Sequence, residues 1–151
     1  MASKQVREIL DQVREMHRRM SACFHLLHEQ TNDACLKLLT DYMADHESRV
    51  DQCIASYESD AAKGVLDTWL QFGDEDEISE RIEHTAFDHS MTPEELVSKA
   101  LDIQRDLVKL YHELSEATSV PELEDLFDNL TTLEENKGRH YTRALSEMMT
   151  G

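Results

Sequence analysis

Residues 8–50 read EILDQVREMHRRMSACFHLLHEQTNDACLKLLTDYMADHESRV, and residues 95–137 read ELVSKALDIQRDLVKLYHELSEATSVPELEDLFDNLTTLEENK. They align without a gap at an offset of 87 residues, and ten of the 43 pairs are identical, among them His25/His112, Thr31/Thr118, Leu36/Leu123 and Glu47/Glu134. Most other apolar positions exchange one apolar residue for another, as in Met20/Leu107, Phe24/Tyr111 and Met43/Leu130. Such a repeat fixes an architecture of two similar halves and marks where they meet.

Within each half the apolar residues recur every three or four positions, the period of a helix with one buried face. Val6, Leu10, Val13, Met20, Phe24 and Leu27 line a first helix from about Ser3 to Gln30. Thr31-Asn32-Asp33 is a turn with capping chemistry. A second helix follows from Asp33 to Lys63 or as far as Phe72, with Gly64 as a possible break and Val65, Leu66, Trp69, Leu70 and Phe72 as an apolar extension. Thr92-Pro93-Glu94-Glu95 opens a third helix with a capping box and proline in the first turn. Ser119-Val120-Pro121-Glu122 reads as a second capping box before a fourth helix that buries Leu123, Leu126, Leu130, Tyr141, Leu145 and Met148.

Short turns make antiparallel neighbours, so residues 3–72 and 92–149 are two helical hairpins. Residues 73–90 join them; they hold the acidic run 74–77 and a possible helical turn from Ile78 to His84. Extended chain covers about 3.3 Å per residue, enough for this connection to cross the bundle from end to end. The expectation is a single all-α domain built as a four-helix bundle with one long crossover.

At 151 residues with four Gly and two Pro, the composition is helical and the chain long enough to bury a core. Residues 1–72 carry 12 acids against 8 Lys/Arg, and residues 73–151 carry 20 against 7, for a net charge of −17. That surface repels phosphate backbones and anionic membranes, which argues against nucleic-acid and membrane partners. No apolar run matches a membrane span and the N-terminus lacks a signal-peptide core, so a cytoplasmic protein is expected by default. Cys23, Cys35 and Cys53 form no Cys-x-x-Cys pair and read as reduced thiols. The apolar extension at 65–72 exceeds what one hairpin buries, so it either covers the bundle end or packs against a second subunit; a homodimer is expected.

The mid-helix positions carry the chemistry. His17 and Gln104 stand on apolar stripes where Leu would be ordinary, and Glu47 and Glu134 stand on the facing helices. With the turns centred near residues 32 and 119, His17 lies level with Glu47 and Gln104 level with Glu134. Four polar groups and Lys137 are therefore expected to meet at mid-bundle. A buried carboxylate is costly unless paired. Two arrangements satisfy the pair: a metal held by His17, Glu47 and Glu134 with Gln104 as a weak oxygen ligand and His46 as an extra one, or the Lys137 ammonium in the metal's place.

Here the chain resembles the ferritin-like superfamily, in particular rubrerythrin-like domains. His17-x-x-Met20-x-x-x-Phe24 and Gln104-x-x-Leu107-x-x-x-Tyr111 are similar to the family's first-helix pattern, with the family Glu replaced by His17 and Gln104. Glu47-Ser48-Arg49-Val50 and Glu134-Glu135-Asn136-Lys137 resemble its Glu-x-x-His, with the His replaced by Val50 and Lys137. The resemblance implies a ferritin-like bundle with a degenerate di-metal site, iron or manganese being the family's metals. It leaves two functional expectations: a non-catalytic binding or interaction protein, or a metal-dependent oxidase or peroxide-handling protein using the core His/Glu site. His25-x-x-x-Glu29 and His112-x-x-x-Glu116 read as ordinary side-chain pairs one helical turn apart. No nucleotide loop or catalytic triad motif is present.

Overall fold

The computed structural model describes residues 2–72, 87 and 90–150. In chain order they form strand β1 (Ala2–Gln5), helices α1 (Val6–Gln30), α2 (Ala34–Asp60) and α3 (Lys63–Leu66), strand β2 (Trp69–Phe72), and helices α4 (Pro93–Glu116) and α5 (Pro121–Thr150). The acidic run 74–77, the turn expected at Ile78 to His84, and nearly all of the 73–90 connection lie outside the described residues.

The α1–α2 and α4–α5 turns use the same device. Thr31 Oγ accepts the Asp33 amide at 3.1 Å, and its repeat partner Thr118 accepts the Val120 amide, also at 3.1 Å. The Thr identity in the repeat thus preserves a turn. Asp33 then caps α2 through the Leu36 amide. The expected capping box at Thr92 and Glu95 is present, each side chain accepting the other's backbone N–H. The second expected box is not how α5 starts: Pro121 is its first residue, the place that suits a residue without an N–H, so Val120 rather than Ser119 precedes it.

Two further corrections concern the ends of the first hairpin. Ser3 to Gln5 do not begin a helix, and α2 stops at Asp60 instead of running to Lys63 or Phe72. β1 pairs antiparallel with β2, from Ala2 opposite Phe72 to Gln5 opposite Trp69. The apolar extension is therefore a short helix and a strand. Side chains alternate along β2, so Leu70 is buried while Trp69 is 62% exposed. Leu66 and Leu70 close the end of the bundle where α1 begins.

One hydrophobic core runs through all the long helices, with Leu10, Met20, Phe24, Leu39, Met43, Ile54, Leu96, Leu107, Tyr111 and Phe127 fully enclosed. Contacts also set the direction of α2 against α5. Ile54 and Tyr57 of α2 share a groove with Leu126 and Leu130 early in α5, whereas Met43 of α2 meets Tyr141 late in α5. The two helices are antiparallel. β2 enters beside the start of α1, with Trp69 opposite Gln5, and Phe87 packs edge-on against Phe24, ring centroids 5.1 Å apart. Phe24 lies 18 residues along α1 from Val6, or roughly 27 Å at helical rise. β2 and Phe87 therefore lie toward opposite ends of the bundle.

Candidate functional site

Four charged side chains from three helices converge at mid-bundle, each 3% exposed or less: His17 from α1, Glu47 from α2, and Glu134 and Lys137 from α5. His17 Nδ1 lies 2.6 Å from Glu47 Oε1. Its Nε2 lies 2.8 Å from Glu134 Oε1, a close ionic contact rather than an aligned hydrogen bond. Lys137 Nζ donates to Glu47 Oε1 at 3.0 Å and sits 2.9 Å from Oε2 and 3.1 Å from Glu134 Oε2. The imidazole bridges the two carboxylates on one side and the ammonium bridges them on the other.

Two phenols complete the group. Tyr141 donates to Glu47 Oε2 and stands 3.2 Å from the Met43 carbonyl. Tyr111, 1% exposed, has a hydroxyl with no hydrogen-bond partner among the described residues and feels both carboxylate charges. Neither phenol stood out as polar in the sequence. The available signal is the repeat itself: Tyr141 aligns with Ile54 and Tyr111 with Phe24, so each adds a hydroxyl that its counterpart lacks.

The protonation states follow from opposed effects. Burial pushes the Glu47 carboxyl up, but the Lys137 charge, His17 and the Tyr141 hydrogen bond outweigh it and hold it at about 2. Glu134 is lowered for a similar reason: burial raises it, and Lys137 and His17 more than offset that. Burial lowers His17, yet the Glu134 charge and the two carboxylate contacts raise it overall against the opposing Lys137. Lys137 is likewise raised, the two carboxylates overcoming its desolvation. Both carboxylates are thus held ionised beside the Lys137 ammonium, and the raised His17 favours its imidazolium form, which moves the cluster toward neutrality.

Gln104 does not join it. Its amide lies over Gly138, whose missing side chain gives it room: a Cβ there would stand 3.1 Å from Gln104 Oε1 and 3.2 Å from Leu101 Cδ2. The expectation of four polar groups plus Lys137 thus reduces to three plus Lys137. His46 is half-buried and also outside the cluster, its ring 4.4 Å from Tyr42, 5.3 Å from His140 and 6.0 Å from Tyr141. His25 and His112 are exposed near the turns. His28 and Lys37 exchange side-chain-to-carbonyl hydrogen bonds of 2.8 Å across the first turn. Cys23 and Cys53 are exposed thiols and Cys35 is half-buried.

As arranged, the donors do not fit a metal ion. Both His17 nitrogens already face carboxylates, and the point equidistant from Glu47 and Glu134 is taken by a cation. Among the described residues, no three or more His, Cys, Asp or Glu side chains are grouped to hold one. What the arrangement does chemically is set opposite charges against each other in a buried core and tie α1, α2 and α5 together. No described helix is long and apolar enough to cross a membrane. Compared with models of known families, characterised proteins and solved structures, the chain gives no match.

Proposed function

We propose that this is a ferritin-like protein whose central site has been converted from metal binding to a self-neutralised ion cluster, and that it works as a non-catalytic binding or interaction protein. The observation that carries the reading is Lys137 Nζ, within 3.1 Å of both Glu47 and Glu134. It supplies from inside the chain the positive charge that a metal would otherwise bring to two buried carboxylates. The antiparallel α2 and α5, and the placement of β2 and Phe87 toward opposite ends of the bundle, support the ferritin-like topology, because short loops alone would leave the second and fourth helices parallel. A homodimer belongs to the same proposal: Leu26, Leu38 and Trp69 are each more than half exposed.

Elemental analysis of protein purified without chelator tests the central claim. The expected result is no stoichiometric iron, manganese or zinc, with Lys137→Ala strongly destabilised. Stoichiometric metal that disappears in Glu47→Ala/Glu134→Ala would overturn it and restore the oxidase reading. Sedimentation velocity of wild type against Trp69→Ser tests the dimer.

A further inference from the structure

The 87-residue offset that relates the hairpins also relates two grooves along the α2–α5 seam. One, of about 630 Å³, lies between the C-terminal half of α2 and the start of α5. The other, of about 450 Å³, lies toward the opposite end of the seam. Adding 87 carries Cys53, Tyr57 and Ala61 of the first onto His140, Ala144 and Met148 of the second, and subtracting 87 carries Asn129 onto Tyr42. The frame is the same at both ends, but the chemistry is not.

The larger groove has an apolar floor of Ile54, Leu126 and Leu130, and Val65 of α3 also lines it. Glu122 and Asp125 line it as anions, where the repeat has Cys35 and Leu38. The bundle therefore does not require charge at those positions. The α5 N-terminus favours an acid at Glu122, but Asp125 lies beyond the first turn. The smaller groove carries His140 and Arg143 together with one acid, Glu147. Tyr57 stands in the larger groove facing Glu122, and its hydroxyl is raised by burial and then by that carboxylate.

We infer that the larger groove is a binding site for a lipophilic organic amine, its apolar body against the half-buried Tyr57, Val65 and Leu133 and its ammonium between Glu122 and Asp125. The volume lies within the range of small-ligand sites, roughly 300–1,000 Å³. The charge complementarity selects a cation over a neutral or anionic molecule of the same shape. The groove is separate from the central ion cluster, so its occupancy and the metal content of the protein are independent questions.

The test uses three matched probes, 4-phenylbutylamine, 4-phenylbutanol and 4-phenylbutyrate, titrated at low salt into isotope-labelled protein and followed by NMR. The amine is expected to shift resonances of Ile54, Tyr57, Val65, Leu126 and Leu130, and to bind about tenfold more tightly than the alcohol, with the acid weakest. Glu122→Gln/Asp125→Asn should bring the amine to the level of the alcohol, and Ala62→Trp should block both. Equal binding of amine and alcohol, or shifts spread over the acidic surface or centred on Tyr42 and Met148, would overturn the assignment. So would concentration-dependent shifts of the groove residues without probe, which would mark a second copy seated there, or binding of a basic amphipathic peptide where the amine does not bind.

Discussion

Lys137 reaches Glu47 across 90 positions of sequence, its Nζ 3.0 Å from one carboxylate oxygen and 2.9 Å from the other. The contact joins the two hairpins at the centre of the core. Its removal leaves two carboxylates facing only the His17 ring in a buried interior. Lys137→Ala is therefore expected to cost about 3–5 kcal/mol, read by urea unfolding. Glu47→Gln/Glu134→Gln/Lys137→Met removes the charges together and should recover most of that loss. A triple variant no more stable than Lys137→Ala would show that packing rather than charge accounts for the effect.

Stability should peak in mildly acidic solution. Glu47, at about 2 in the fold against 4.5 ordinarily, contributes stability that is present above pH 4.5 and lost as pH falls toward 2; Glu134 acts in the same direction. His17 is raised, so its contribution is complete below 6.5 and lost as pH rises through its folded value. The cluster's own contribution to the denaturation midpoint should therefore fall on both sides of the interval from 4.5 to 6.5. His17→Gln should flatten the upper limb and leave much of the lower one.

The two buried phenols should respond differently. Tyr141→Phe removes a donor to Glu47 and is expected to cost about 1–3 kcal/mol. Tyr111→Phe removes a hydroxyl that has no partner, so it should be neutral or slightly stabilising. Thermal unfolding of the two variants side by side gives the comparison; equal losses would contradict the hydrogen-bond assignment.

A second pH effect arises at the α1–α2 seam. Glu58 is raised to about 7 by burial and by the facing Asp11, against the pull of Arg14, which also holds Asp51 at 2.8 Å. A raised carboxyl means the folded state keeps a proton that the unfolded state has lost, so stability falls as pH climbs from 4.5 to 7. Glu58→Gln should therefore stabilise the protein at pH 8, by on the order of 1 kcal/mol after solvent screening, and change little near pH 4.5.

Much of the central site was legible because helical arithmetic is local. Folding each hairpin at residue 32 or 119 put His17 beside Glu47 and brought Lys137 to the same level, and the structure has them in contact. Gln104 obeyed that arithmetic in height but not in direction, because Gly138 on α5 offers its amide a berth outside the cluster. That berth depends on a neighbouring helix, which periodicity along α4 does not reveal. β1 and β2 were missed for a related reason: four-residue strands separated by more than sixty residues stabilise each other only through a non-local ladder. Nothing in Ser3-Lys4-Gln5 signals a strand by itself, and Ala61-Ala62-Lys63 looks like continuing helix. The end of α2 came from tertiary packing, with Leu66 and Leu70 turned back onto the core.

That ladder makes the first few residues a structural part of the molecule. β2 has β1 as its hydrogen-bonded neighbour in a two-stranded sheet, and its Trp69 side chain already points to solvent. Cutting the chain before Val6 would leave a bare strand edge beside an exposed indole, the combination that recruits other chains into intermolecular sheets. A shortened N-terminus is thus a route to self-association unrelated to the helical bundle, and its first sign would be β-structure gained by an otherwise helical protein.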